Sequence, residues 1–518
     1  MNETAKQLTD NPDKHLQTDD LMTDLGQRTA RGGVVTIFSQ GSKFAISMIG
    51  TVVLARILTP EDYGLIGMVA VVTGFIAVFK DLGLSAATIQ RSEVNNEQVS
   101  TLFWLNVVLS VGIMMVTLAV SPVVAWFYGE PKLTAITAAY AIGFLFGGLA
   151  VQHEALLRRR MRFAVLAVSE IVSLVLSITV AIVLALNGAR YWALVGSQLT
   201  LGLTYTIAIW FACRWRPRLP SRNSGVRSMI AFGGNLTGFG LVNYFARNLD
   251  NLLIGRFWGA EQLGLYARAY QLLLLPIEQI NAPITAVAVP VLSRLKDNPE
   301  RYRSAYLRLL EKVALLTMPG MAFMIASSDL LVLIVLGPKW IQVSRIFSLL
   351  GLVGLLQPVA STAGWLFVTQ GRTNDMFKWG VIGSVLTISS ILLGLKWGAL
   401  GVAASYSLTY VIVITPLLSW YVSRTGPIKM ADFYRTVAPI AAASIVSLVA
   451  LLLVKRFLVF NSKLISLAVS LAITLVTTFI VLVLLPRGRT ALLDLKESSE
   501  RVFRKASPAS AISSNRPA

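Results

Sequence analysis

The chain has 518 residues, of which 55% are hydrophobic and 14% are charged, and its formal net charge is +20 at pH 7. Soluble globular proteins carry about a quarter charged residues, so this composition excludes an ordinary soluble protein and indicates a membrane protein. The basic residues are spread over many short segments, so the net charge does not indicate a nucleic-acid-binding domain.

The first 30 residues are polar, and the stretch 1–27 holds six acidic residues against two lysines. A secretory signal peptide would need a basic start followed by an apolar segment. We therefore expect residues 1–30 to form a disordered cytoplasmic tail.

Residues that commonly ligate metals or act in catalysis are scarce. Cys213 is the only cysteine, and His15 and His153 are the only histidines, which we expect in the tail and in a loop. The single cysteine excludes an intrachain disulfide and a cysteine-cluster metal site, and zinc or Ser-His-Asp chemistry has almost no residues to use. We expect no metal, no cofactor and no enzymatic activity.

Apolar stretches of about 20 residues recur along the chain, and each is long enough as a helix to cross a hydrocarbon layer of about 30 Å. The strands of a barrel would alternate apolar and polar residues instead. The sequence predicts an all-α polytopic membrane protein with about 14 transmembrane helices. Their centres are expected near Ser42, Val71, Leu109, Ile142, Leu174, Leu201, Tyr244, Leu273, Leu315, Leu356, Leu386, Tyr410, Ser444 and Ile473.

Lys and Arg are distributed unevenly between alternate loops. The even-numbered loops carry 20 of these residues, the odd-numbered loops carry nine, and the C-terminal tail adds seven. Because cytoplasmic loops are enriched in Lys and Arg, we expect both termini in the cytoplasm.

The stretch LARILTPEDYGLIG, residues 54–67, returns 200 residues later as IGRFWGAEQLGLYA, residues 254–267. Residues 34–84 and 234–284 lie six predicted spans apart, an even number, so the two copies have the same orientation. Such parallel repeats of transporters are related by an axis along the membrane normal and place a binding site at their interface. The identical pairs are Arg56 and Arg256, Glu61 and Glu261, Gly64 and Gly264, and Leu65 and Leu265.

The sequence of the first copy also predicts a tight turn in the first outer loop. Thr59 can cap the second helix, Pro60 suits its first position, and Glu61 and Asp62 stabilise its positive end. An acidic pair in the first outer loop is also a feature of membrane glycosyltransferases, so a membrane glycan polymerase or ligase is an alternative. No odd loop is long enough to form the periplasmic domain that such an enzyme usually has.

Polar residues recur at helical spacing inside three predicted spans: the first, the seventh and the eighth. Ionisable residues at membrane depth are costly and usually functional. We call each such row of polar residues on one helix face a polar seam. In the first span the polar seam consists of Gln40 and Lys43 together with Thr36, Ser39 and Ser47. The predicted substrate-binding residues of these seams are Gln40, Lys43, Arg247, Asp250, Arg268 and Glu278.

Three carboxylates are candidates for coupling transport to an ion: Asp250, Glu278, and Glu170 of the fifth span. Structural alternatives remain, because Asp250 can pair with Arg247 three residues away, and interhelical hydrogen bonds can satisfy Glu170. No G-x-x-x-x-G-K-[ST] loop occurs, so the chain is not an ATP-driven pump.

Two prolines of the eighth span, Pro276 and Pro283, are expected to bend or interrupt its helix. An interrupted helix at membrane depth usually lines a cavity. This expectation places the eighth span beside the predicted substrate path.

Three stretches together resemble the Wzx-type polysaccharide flippases of the MOP superfamily, which also contains the MATE drug exporters and the lipid II flippases. They are LARILTPEDYGLIG, FKDLGLSAATIQR at 79–91, and LDNLLIGRFWGAEQLGLYARAYQLLLLPIEQINAPITAVAVPVLSRL at 249–295. The resemblance implies two pseudo-symmetric six-helix lobes around a central cavity, often with two further helices. We therefore expect lobes at 31–215 and 216–425, two additional helices at 426–485, and a basic cytoplasmic tail at 486–518.

The resemblance also implies a function, the transfer of undecaprenyl-diphosphate-linked oligosaccharide units across the bacterial inner membrane for exopolysaccharide, capsule or O-antigen biosynthesis. Its implied partners are that lipid-linked oligosaccharide, membrane lipid and other polysaccharide assembly proteins. Cations of the cavity recur in the family, and Lys43, Arg247 and Arg268 are the residues here that would fill this role. A MATE-like drug/cation antiporter is the alternative of the same fold, but three cations against Asp250 and Glu278 favour an anionic substrate.

Overall fold

The computed structural model describes residues 25–77, 85, 88–89, 94–221, 227–457 and 461–494. For 25–32, 34, 37, 227–243, 245–246 and 276 it describes the backbone alone. The regular elements in these ranges are all helices, which confirms the predicted all-α fold. The first helix begins at Leu25, inside the segment expected as a tail, and residues 1–24 lie outside the described ranges.

The chain divides into two compact units, residues 1–264 and 265–518. The predicted boundary between the two lobes, at residues 215 and 216, remains a prediction. The helices of unit 1 in the described ranges are α1 (Leu25–Ile57), α2 (Pro60–Ala77), α3 (Asn96–Tyr128), α4 (Lys132–Arg159), α5 (Phe163–Leu186), α6 (Trp192–Cys213) and the first part of α7 (Arg227–Leu295).

Helix α7 continues from unit 1 into unit 2 and contains two predicted spans. Its backbone leaves the helical conformation at Gly259, where φ is 79° and ψ is −177°. A positive φ of this kind favours glycine, which has no Cβ atom, so the turn falls where the sequence predicts an outer loop. The helix continues through Pro276 and Pro283, so the expected interruption at these positions is wrong, whereas the alternative of a bend stays a prediction. Transmembrane helices tolerate proline where neighbouring groups satisfy the freed carbonyls.

Unit 2 contains the rest of α7 and a further series of helices. A π-helical turn, Tyr410–Ile414, joins two of them into one continuous run, and 3₁₀ turns at Pro338–Trp340 and Leu395–Trp397 precede two others. The helices after α7 are α8 (Pro299–Ala326), α9 (Ser328–Val335), α10 (Ile341–Ser361), α11 (Ala363–Thr369), α12 (Thr373–Gly394), α13 (Gly398–Thr409), α14 (Thr415–Ser423), α15 (Met430–Val454) and α16 (Lys463–Leu484).

Eleven helical stretches in the described ranges are long and apolar enough to cross a membrane. Two of them, Arg247–Leu295 and Thr373–Ser423, have 49 and 51 residues, which is more than twice the roughly 20 needed for one crossing. Each therefore accommodates two crossings. Helix α1 has 33 residues but is more polar than these stretches because it carries the first polar seam. The eleven stretches, two of which accommodate two crossings, give 14 crossings together with α1. This total agrees with the predicted count of about 14 and with a multi-pass membrane protein.

Helix ends follow from local sequence. Asn95 accepts a hydrogen bond from the backbone of Gln98, whose side chain returns one to the Asn95 backbone, and this capping box starts α3. The same helix ends at Gly129 in a left-handed conformation with φ of 72°. In α8, Asn298 is the cap and Pro299 occupies the first turn. These caps satisfy backbone groups that a helix end leaves without partners.

The predicted cap of α2 at Thr59 is confirmed, because the Asp62 backbone donates a hydrogen bond to the Thr59 hydroxyl at 3.4 Å. The Asp62 carboxylate accepts hydrogen bonds from the Thr59 backbone and hydroxyl, at 3.0 and 2.8 Å. Beside it, Glu61 pairs with Lys132 at 3.1 Å and with Arg190 at 3.2 Å. Residues of the first, third and fifth loops therefore meet at one end of the unit, as alternating helix directions require.

The other end of unit 1 contains an aromatic core that holds His153. The sequence-based expectation of a loop position is wrong, because α4 continues through its basic segment to Arg159 and carries His153 with it. The imidazole is fully buried, its ring lies 4.4 Å from that of Trp210, and Nε2 lies 3.3 Å from the Trp215 carbonyl oxygen. Its role is therefore in packing.

The two copies of the repeated stretch contact each other within unit 1. A Cβ atom on Gly64 would overlap the Ala260 carbonyl, and a Cβ atom on Gly264 would overlap the Pro60 carbonyl. Positions 60 and 260, like 64 and 264, are equivalent in the repeat. The two contacts are therefore reciprocal, with local two-fold symmetry.

Candidate functional site

An ion pair lies inside the membrane-spanning part of unit 1. Lys43 of α1 donates to the Glu170 carboxylate of α5 at 2.5 Å. The side chains are 25% and 29% exposed, so the pair is neither sealed in a core nor fully solvated. Glu170 lies about 10 Å along α5 from its first residue, at a rise of about 1.5 Å per residue. Neutralisation by Glu170 lowers the cost of holding Lys43 at this depth.

Close packing of α1 against α5 positions this pair. A Cβ atom on Gly50, two turns beyond Lys43, would lie 2.8 Å from Ile178, which is two turns beyond Glu170. From the Lys43–Glu170 contact to the Gly50–Ile178 contact, the residue numbers rise along both helices. The two helices are therefore parallel, as expected for the first and fifth spans. The absence of a side chain at Gly50 therefore allows the approach that brings Lys43 to Glu170.

A second polar group lies beside the pair, and the sequence analysis did not identify it. Arg158 of α4 donates to Glu154 through two nitrogens, at 2.8 and 2.7 Å. The Tyr205 hydroxyl of α6 lies close to Glu154, and Glu170 acts electrostatically on both Arg158 and Tyr205. In the sequence, Arg158 counts only as one of the 20 cations of the even-numbered loops. The four-residue spacing from Glu154 to Arg158 is the signal that could have identified the pair.

The remaining seam of α1 does not occupy a single environment. Gln40 is exposed, as are Thr36 and Ser47, whereas Ser39 is buried. Gln40 therefore lies on the accessible side of α1, one turn before Lys43.

Arg247 and Asp250 lie less than one helical turn apart on α7. The Arg247 side chain is exposed, and Asp250 is half-buried. Asp250 accepts a hydrogen bond from the Asn251 backbone at 2.7 Å. The structural alternative from the sequence analysis, an Arg247–Asp250 pair, stays a prediction.

Tyr244 anchors this part of α7 against α2. Its hydroxyl donates to the Val71 carbonyl at 2.8 Å, in a position where Gly74 has no side chain to obstruct it. Arg247 follows Tyr244 by less than one helical turn, so its backbone is held close to this anchor.

The two predicted site residues of the eighth span lie in unit 2. Arg268 donates to the Gln271 side chain of the same helix face. Glu278 is exposed. The structure thus brings Lys43 together with Glu170 and Arg268 together with Gln271. In the described residues, no three His, Cys, Asp or Glu side chains cluster closely enough to hold a metal ion.

Comparison with known proteins assigns the chain to a family. Residues 53–345 match the family profile described as "Polysaccharide biosynthesis protein", and this match covers more than half of the chain. The chain belongs to this family. The polysaccharide role that the resemblance implies is thereby confirmed at the level of this family.

Three relatives of this chain have names that refer to the biosynthesis of a bacterial polysaccharide. The teichuronic acid biosynthesis protein TuaB of Bacillus subtilis is 29% identical over 368 residues, 70% of this chain and 76% of that protein. The lipopolysaccharide biosynthesis protein WzxC of Escherichia coli is 27% identical, over 77% and 81%. The succinoglycan biosynthesis transport protein ExoT of Rhizobium meliloti is 25% identical, over 82% and 86%.

Solved structures confirm the fold. The lipid II flippase MurJ in an inward closed conformation has a TM-score of 0.68 at 13% identity, over 87% of this chain and 98% of that one. An inward-facing MATE family transporter of the MOP superfamily has a TM-score of 0.56 at 13% identity, over 80% and 96%. At these identities, the likeness concerns the fold alone.

Proposed function

We propose that this protein is a flippase that moves undecaprenyl-diphosphate-linked oligosaccharide units across the bacterial inner membrane for exopolysaccharide, capsule or O-antigen biosynthesis. Membership of the polysaccharide biosynthesis family carries the proposal. The names of TuaB, WzxC and ExoT, which refer to three different bacterial polysaccharides, support it. The work of the protein would be translocation, with no bond made or broken.

The orientation that we propose places both termini in the cytoplasm and the odd-numbered loops in the periplasm. The excess of Lys and Arg in the even-numbered loops supports it. The meeting of Glu61, Lys132 and Arg190 at one end of unit 1 is consistent with it, since all three belong to odd loops.

The substrate poses a clear physical problem. A diphosphate and a hydrophilic glycan must cross apolar lipid, where each unpaired polar group costs several kcal/mol. Fixed cations along a polar path lower that cost, and Lys43 is suited to this role because it lies at membrane depth and stays one-quarter exposed. Gln40, Arg247, Asp250, Arg268 and Glu278 are the further residues that we propose for substrate binding.

Substrate binding would be coupled to ion binding if the substrate replaced Glu170 as the partner of Lys43. Without substrate, Glu170 neutralises Lys43. A diphosphate that binds Lys43 replaces this carboxylate, and Glu170 then gains affinity for a proton or a cation. We therefore propose Glu170 as a coupling residue, with Asp250 and Glu278 as the other candidates.

The test compares Lys43→Ala, Glu170→Ala and the double variant in a deletion strain. Each strain is assayed for membrane abundance, surface polysaccharide and accumulated lipid-linked intermediate. Loss of a charge-assisted contact costs roughly 1.5–3 kcal/mol, so we expect Lys43→Ala to lower export about ten- to a hundredfold. The double variant should regain any abundance lost by the single variants, since neither charge is then left unpaired, but it should not regain export.

Normal export by the double variant at normal abundance would show that the pair is structural. Arg247→Ala provides a second test, because the Arg247 side chain is exposed. It should lower export while leaving abundance unchanged.

The drug/cation antiporter remains the alternative within this fold, supported by the MATE-like architecture alone. Vesicles that contain the protein distinguish the two functions. Proton-driven efflux of cationic dyes, together with normal polysaccharide in the deletion strain, would contradict the flippase proposal.

A further inference from the structure

A cavity of about 570 Å³ lies in unit 2 between the start of α12 and the end of α14. Both helix ends belong to even-numbered loops, which carry most of the basic residues. The charged residues that line the cavity are Arg372, Asp375, Lys378 and Arg424.

One of the three cations, Arg372, has a structural role. Arg372 pairs with Asp375 at 3.0 Å and donates to the backbone carbonyls of Val422, at 3.1 Å, and Thr425. Its side chain is only 14% exposed. Arg372 therefore links α12 to α14 and neutralises Asp375, the one carboxylate among the described residues that line the cavity.

The other two cations remain available to a ligand. Lys378 and Arg424 are both exposed, and neither pairs with a carboxylate in the part of the chain that the structure describes. The Arg424 guanidinium lies 5.0 Å above the ring of Trp420, which orients it. Two exposed cations without acidic partners among the described residues, one of them oriented by an aromatic ring, favour an anion in this cavity.

The surface next to the cavity is apolar. Phe377, Val381 and Val385 are 59%, 47% and 58% exposed, and their spacing of four places them in one stripe along α12. Trp420, 49% exposed, lies where tryptophan commonly marks the membrane interface. A ligand that contacts both the cations and this stripe has an anionic head and an apolar chain.

We propose that this cavity binds the headgroup of an anionic phospholipid, with Lys378 and Arg424 on its phosphate and an acyl chain along Phe377, Val381 and Val385. Basic pockets at the cytoplasmic ends of transmembrane helices are suited to anionic lipids, which are concentrated in that leaflet. None of the predicted substrate residues is among the described residues that line the cavity, and the inference does not depend on the transported substrate.

Native mass spectrometry of the full chain in detergent tests the proposal, with phosphatidylglycerol, phosphatidylethanolamine and inorganic phosphate as probes. We expect preferential binding of phosphatidylglycerol. Each cation near an anionic lipid surface contributes about a fivefold gain in affinity, so Lys378→Gln with Arg424→Gln should weaken this binding about 25-fold. Val381→Asn with Val385→Asn should also weaken it, through loss of the apolar stripe.

The matched control is Arg294→Gln with Lys296→Gln, which removes two exposed charges of another even-numbered loop. It should change phosphatidylglycerol binding less than twofold. If the double cation variant lost thermal stability without lipid, Lys378→Gln alone should still show a fivefold loss.

Four results would overturn the proposal. They are equal losses in test and control variants, equal binding of phosphatidylethanolamine, equally tight binding of inorganic phosphate, and displacement of phosphatidylglycerol by equimolar undecaprenyl diphosphate. The third would indicate a soluble-anion site, and the fourth a site for the transported lipid.

Discussion

Glu61 and Asp62 are neighbours in the chain, but their contacts give them different roles. The Glu61 side chain is 41% exposed and lies between Lys132 and Arg190, which are also well exposed. The Asp62 side chain is 2% exposed, caps α2 through Thr59, and lies 3.3 Å from the Arg190 guanidinium. Solvent screens the first acid, whereas the fold depends on the hydrogen bonds of the second.

We predict that Asp62→Ala destabilises the protein and that Glu61→Gln changes little. Loss of a helix cap costs about 0.5–2 kcal/mol, and an exposed ion pair contributes about 0–1 kcal/mol. Thermal unfolding in detergent measures both. Asp62→Glu should retain part of the stability because it keeps a carboxylate three residues after the cap. Equal effects of Asp62→Ala and Glu61→Gln would contradict this assignment.

Two of the glycines of helix α4, Gly143 and Gly148, differ in their surroundings. A Cβ atom on Gly148 would overlap the Ser110 side chain of α3, whereas a Cβ atom on Gly143 would meet nothing within 4 Å. Gly148 therefore permits the close approach of α3 and α4, and Gly143 does not limit any contact.

We predict opposite effects for alanine at these two positions. Gly148→Ala should destabilise unit 1, since overpacking costs about 1–3 kcal/mol. Gly143→Ala should be neutral or stabilising, because alanine favours a helix interior by about 1 kcal/mol over glycine. Yield of monodisperse protein and thermal unfolding in detergent provide the measurement. A stability loss in Gly143→Ala alone would refute the argument.

Element positions were largely predictable from sequence, and element contacts were not. Span length, the cap at Thr59 and the turn at Gly259 depend on neighbouring residues, so a local pattern identifies them. The Lys43–Glu170 pair joins residues 127 positions apart, and it requires the packing that Gly50 permits. His153 was misplaced because a run of arginines resembles a loop, although Arg159 is itself buried and donates to the Thr88 carbonyl.

For the molecule as a whole, topology is the most direct prediction. Reporter fusions after Arg222 and at the C-terminal tail should report the cytoplasm, and fusions near Arg190 and Lys396 should report the periplasm. The physical reason is the retention of Lys- and Arg-rich loops on the cytoplasmic side. Phosphatase and fluorescent-protein fusions provide opposite readouts. A periplasmic signal from the C-terminal tail would contradict the proposed 14-span topology.

The reciprocal contact between the repeat copies resembles the interface of a symmetric dimer inside one chain. Two separate half-length chains with this stretch would meet through the same surface on each, as isologous dimers do. Gly64 and Gly264 are then each constrained by the backbone of the opposite copy, through Ala260 and Pro60. Once the copies share one chain, their other positions can diverge independently, but neither glycine can be replaced unless the facing backbone moves.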